Sequence, residues 1–170
     1  MPHTMKTKVL LFALVAFALV ACDLDTVVSP GVQLSSSLYR TYTVQDSLGQ
    51  DSLVRDTISY TDSLNIGDTV RIPMLCQGYY DYVRSLKITT DTAKLHASLL
   101  WDDEYKSYLA EDADPEHGYL SFLADQVFAF YTTLIYVPVA SGTHRVEIFI
   151  QSNAKEPYSQ GAWHFNVAVR

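Results

Sequence analysis

From residue 38 onward the apolar positions fall in short runs rich in β-branched and aromatic side chains, and Asp, Ser, Gly or Pro breaks them at turn-like intervals. Alternation with period two inside such runs is the mark of strands with one buried face, so the pattern predicts strands at 39–45, 53–61, 69–77, 82–90, 94–101, 126–137, 144–152 and 162–170. Helical spacing is scarce. Only 115–124 admits a helical turn, and Gly118 interrupts it. Residues 22–37 carry Pro30-Gly31 and the serines 35 to 37 with no sustained period, which reads as a flexible tether. Ahead of them stand Lys6, Lys8 and the uncharged apolar run 9–21, too short for a bilayer that needs about 20 residues. The organisation that follows is a removable segment at 1–21, a tether at 22–37 and one all-β sandwich of about 7–9 antiparallel strands at 38–170.

The last third carries the strongest pattern. Pro138, Ser141 and Gly142 mark a turn; Val146, Ile148 and Ile150 then alternate with polar residues, and Trp163, Phe165 and Val167 alternate again. Placing Ser152 opposite Gly161 sets Val146, Ile148 and Ile150 against Val167, Phe165 and Trp163. Both apolar sets then share one face, as burial requires. The Pro-x-x-x-Gly-Thr-x-x-Val entry at Pro138 and the alternating end of the chain resemble the last two strands of immunoglobulin-like and fibronectin-like domains of exported bacterial proteins. Gly67-Asp68-Thr69-Val70 resembles their entry into an early core strand. The resemblance implies an immunoglobulin-like sandwich; the paired cysteines of antibody domains are not present in this sequence.

The amino-terminal run ends in Leu19-Val20-Ala21-Cys22. This resembles the lipobox of a bacterial lipoprotein signal peptide. The resemblance implies that a diacylglycerol is attached to the sulfur of Cys22, that the chain is cut just before it, and that the new amino terminus is acylated as well, palmitate being a usual chain. Each buried methylene contributes about 0.8 kcal/mol, and two or more chains hold a protein to a membrane durably. The resemblance therefore implies an exported protein of a Gram-negative-type envelope, with the outer membrane as the expected destination. Asp23 and Asp25 fit an inner-membrane retention signal and a surface-export signal equally, so the membrane, and the periplasmic or cell-surface face, both stay open.

Removal of Lys6 and Lys8 takes 12 basic residues to 10 against 19 acidic ones, a formal charge of −9. The remaining Lys and Arg are scattered singly, whereas a duplex binder needs them clustered to displace counterions. Nucleic acid is excluded as the expected partner. With Cys22 acylated only Cys76 remains, so no intramolecular disulfide is expected, and no neighbouring histidine activates that thiol.

Candidate chemistry is sparse. The triplets that begin at Asp46, Asp51, Asp56, Asp62 and Asp68 repeat Asp-hydroxyl-aliphatic, which suits turns and polar strand edges before it suits a calcium array. Asp112, Asp114 and Glu116 alternate in a loop able to surround a hard cation. Counted from Asp112, however, His117 takes the glycine position and Leu123 the glutamate position of a calcium loop, so no cofactor is expected beyond the covalent lipid. His96, His117, His144 and His164 have no zinc spacing. Neither a Gly-x-Ser-x-Gly turn nor a pair of carboxylates fixed on strands is identifiable, so no enzyme is expected.

The aromatic residues give the remaining signal. Tyr79, Tyr80 and Tyr82 flank one predicted connection, and Trp101, Tyr105 and Tyr108 flank another; exposed rings there would serve a protein partner or a glycan. The expectation is a membrane-anchored envelope lipoprotein with a non-catalytic binding or assembly module. A carbohydrate-binding accessory protein is the alternative, followed by a fimbrial subunit or an envelope hydrolase.

Overall fold

The computed structural model describes residues 28–170. Ten strands lie in chain order: β1 (Gly31–Leu34), β2 (Leu38–Gln45), β3 (Asp51–Ile58), β4 (Thr69–Gln77), β5 (Val83–Thr90), β6 (Leu95–Leu100), β7 (Tyr119–Ser121), β8 (Ala129–Pro138), β9 (Gly142–Ser152) and β10 (Gln160–Val169). One antiparallel sheet has the order β3-β2-β4-β8-β6, with β1 also on β4; the other has the order β10-β9-β5-β7. Their inner faces make one core. Val70, Ile72 and Met74 of β4 and Leu134 of β8 meet the side defined by Leu86 of β5 and Ile148 and Ile150 of β9, all at most 1 % exposed. Each such side chain contributes about 1.5–3 kcal/mol relative to its exposed state.

All eight runs predicted from alternation are strands, and two strands were not predicted. Gly31–Leu34, assigned to the tether by its Pro-Gly and serine content, pairs with Gln77 to Met74 of β4. β1 and β2 lie on the same edge of β4 as one interrupted strand, and the interruption falls opposite Pro73. Proline supplies no N–H to that edge, so only its carbonyl is bonded, by the amide of Ser35 at 2.9 Å. The chain resumes at Tyr39, which faces Arg71. The expected signal segment 1–21 and the expected lipidation site Cys22 fall outside the described residues.

The second correction concerns 115–124. Pro115–His117 forms a short 3-10 turn capped by Asp114, whose carboxylate accepts from the His117 amide. Gly118 then takes φ 75°, a left-handed conformation that ends the helical path, and an added Cβ there would lie 3.0 Å from the Ile88 side chain. The chain continues as β7 beside β5.

The hairpin of β9 and β10 is present with its predicted faces, in a register shifted by two residues. Trp163 faces Ile148, Phe165 faces Val146 and Val167 faces His144. A slip of two keeps side-chain parity, so burial alone does not distinguish the two registers.

Candidate binding surface

The two predicted aromatic connections meet at one end of the sandwich. Gln77 at the end of β4 faces Ala129 at the start of β8, and Leu100 at the end of β6 faces Thr133 of the same strand. The β4–β5 turn and the segment after β6 are therefore brought to the same end of β8, on its two opposite edges. The ring of Tyr82 stacks on Phe128 with centroids 3.9 Å apart, and Phe128 lines a groove of about 760 Å³ together with Trp101, Tyr105, Tyr108, Phe130 and Tyr131.

Each ring has a different part in this surface. Trp101 is half-buried at the floor, 5.5 Å from both Phe122 and Phe130, which departs from its expected exposure. Its indole N–H is enclosed without a hydrogen-bond partner, a defect that costs about 1–3 kcal/mol. Tyr105 and Tyr108 project from the 3-10 turn Asp103–Tyr108 with centroids 6.3 Å apart. That turn is built by its own charges: Asp102 caps it by accepting from the Glu104 amide at 3.1 Å, and Asp103 pairs with Lys106 at 2.8 Å. Two of the three adjacent carboxylates thus hold local structure.

Tyr79 and Tyr80 are exposed beyond the groove. Tyr79 sits at φ 59°, where a bulky residue is strained, and its ring is aimed across Gly31; a Cβ at that glycine would be 2.6 Å from the tyrosine hydroxyl. Asp125, on the neighbouring loop, also has a left-handed backbone at φ 56°, and its carboxylate accepts from the Asn153 amide group at 2.9 Å. Phe128, Phe130 and Tyr131 escaped the sequence reading because they lie inside a predicted strand, where alternation marks two of them for burial. The local signal was the adjacent pair Phe130-Tyr131, which must point to opposite faces.

The other candidates resolve into structural duties. Asp112 accepts only a long 3.4 Å contact from the Tyr119 hydroxyl, Asp114 binds the amide and Nδ1 of His117, and Glu116 is exposed. Among the described residues no three His, Cys, Asp or Glu side chains assemble as a metal site. Asp46 accepts from the amides of Leu48 and Gln50, Asp62 from Ser59 and Asp68 from Asn65, so these members of the repeat build turns. Asp56 instead pairs with Arg40 through two hydrogen bonds. His144 points inward and His164 outward, as the alternation requires; the His144 Nε2 lies 2.7 Å from the Ala140 carbonyl. Cys76 is buried on the inner face of β4, and burial pushes its thiol up to about 12. A second groove, of about 800 Å³, lies over the outer face of the smaller sheet, with Lys87, His117, Tyr119, Phe149 and Gln151 in its lining.

No protein-family model matches the chain. No curated protein matches it either. Among solved structures it is similar to a DUF4466 family protein from Parabacteroides merdae ATCC 43184, with 7 % identity and a TM-score of 0.42 over 82 % of this chain and 45 % of that one. It is also similar to a family 123 glycoside hydrolase from Clostridium perfringens, described as acting in glycolipid glycan hydrolysis, with 12 % identity and a TM-score of 0.37 over 84 % of this chain and 28 % of that one. The chain spans less than half the length of either.

Proposed function

We propose that this chain is a lipoprotein of the bacterial cell envelope, held to a membrane through Cys22 and carrying an immunoglobulin-like sandwich that works as a non-catalytic binding module. The observation that carries the binding role is a groove at one end of the domain lined by rings from the segment after β6 and the start of β8, with the β4–β5 connection joined to it through the stack of Tyr82 on Phe128. Rings brought together there and left exposed add nothing to the core, while they offer rigid contact area to a partner. The rim carboxylates Asp102 and Asp103 are occupied in building their own turn, which favours binding over hydrolysis.

Strand order supports the finer fold reading. β2-β4-β8-β6 against β10-β9-β5 reproduces the A-B-E-D and G-F-C order of immunoglobulin domains, with β7 as an added strand beside β5. The anchor is supported by the Lys6, Lys8, apolar-run and lipobox sequence. Labelling cells with radioactive palmitate tests it: the full-length chain takes up label and sediments with membranes, and Cys22→Ala abolishes both. Unlabelled wild-type protein in the soluble fraction would reject the anchor.

A further inference from the structure

The exposed rings are distributed very unevenly. Tyr79, Tyr80, Tyr105, Tyr108, Phe128 and Tyr131 surround the groove end, and Tyr158 lies on the β9–β10 loop at that same end. Phe149, on the outer face of β9, is the remaining exposed ring among the described residues. At the opposite end the turns 46–50, 64–68, 91–94 and 139–141 expose aliphatic groups such as Leu48 and Ile66 and no aromatic ring.

The chain also enters the fold at the aromatic end. Val28 is exposed, Gly31 faces Gln77 two residues before Tyr79, and the carbonyl of Pro30 lies against Gly161 at the start of β10, 2.3 Å from where a Cβ would be. Pro30 follows Cys22 by eight chain steps. Fully extended they reach no more than about 29 Å. The sandwich itself is longer than that, since the 11 residues of β9, taken as steps of about 3.3 Å between neighbours, span roughly 33 Å. A domain attached at its aromatic end by so short a reach cannot stand on its opposite end against the lipid.

We propose that the aromatic end is the face this domain lays on the membrane interface to which Cys22 anchors it, so that lipid headgroups are the partner of the groove. This rests on the anchor proposed above. Tyrosine suits the role because its ring is apolar and its hydroxyl stays hydrated, which is why such rings collect at the level of lipid headgroups. Charge decides the lipid class: the two aromatic connections carry Asp81, Asp102, Asp103 and Glu104 against Lys106, so a zwitterionic surface is accepted and an anionic one repelled.

The test uses the full-length acylated protein in phosphatidylcholine vesicles with brominated acyl chains. A fluorophore is carried on Gln126→Cys at the aromatic end or on Leu48→Cys at the other; Cys76 is buried and stays unlabelled. The expected result is quenching several-fold stronger at position 126 than at 48. It diminishes when phosphatidylglycerol is added at low salt, and is mostly lost in the combined Tyr79→Ala, Tyr80→Ala and Phe128→Ala variant, which still sediments with the vesicles through its acyl chains. No quenching at 126 in protein whose intact mass shows acylated Cys22 overturns the membrane contact and leaves the anchor standing. Equal quenching at both positions overturns it as well, because the domain then lies on its side. Quenching at 126 that soluble envelope polysaccharide or an envelope protein abolishes without releasing the anchor assigns the surface to that partner instead. An unacylated Cys22 removes the anchor and this inference together.

Discussion

At the scale of single residues, the described part of the chain uses its titratable groups for structure. Arg40 holds Asp56 by two hydrogen bonds and lies 3.7 Å from the buried Asp68, and the guanidinium keeps the Asp56 carboxyl below the usual carboxylate range. A depressed native value stabilises the fold above the unfolded carboxylate pKa and is lost as pH falls through the native one. Comparing the wild type with Asp56→Asn by urea denaturation should therefore show a gap of about 0.5–1 kcal/mol at pH 7, since the pair is partly exposed, and the gap should close below the normal aspartate range. A gap that persists in acid would mean that packing accounts for it. Cys76 makes a second test. A thiol raised to about 12 holds almost no thiolate near neutrality, so peptide mapping after alkylation at pH 8 should find Cys76 unmodified until denaturant opens the core.

At the scale of elements, the strands are where side-chain alternation puts them, and the discrepancies each have a local cause. β1 was hidden because its four residues are too few to show a period and stand beside a Pro-Gly pair and a serine run. β7, three residues long, was hidden behind a turn whose proline and acidic start imitate a helix. The register of β9 and β10 can be settled directly. Glu147 faces His164, so Glu147→Cys with His164→Cys should oxidise to a disulfide, whereas Glu147→Cys with Asn166→Cys, the pairing read from the sequence, should remain reduced. Efficient cross-linking of the second pair, seen by non-reducing mass analysis, would restore the sequence register.

For the whole molecule, stability rests on the face shared by the two sheets. Leu134 and Tyr131 are three residues apart on β8, one fully buried and the other 80 % exposed. Leu134→Ala should cost roughly 2–5 kcal/mol, a midpoint lower by on the order of 10 °C in calorimetry, while Tyr131→Ala should change stability by about 0.5 kcal/mol or less. Similar losses at both positions would contradict the assignment of inner and outer faces. The sequence by itself determined the all-β character, eight of the strands and the buried faces of the last two, because these follow from alternation within a few neighbouring residues. Only the tertiary structure decided the strand neighbours, the two-residue setting of the last hairpin and the meeting of Tyr79, Tyr82, Trp101, Tyr105 and Phe128 at one end. Those depend on pairings between segments far apart in the chain, and no local period encodes which segments will pair.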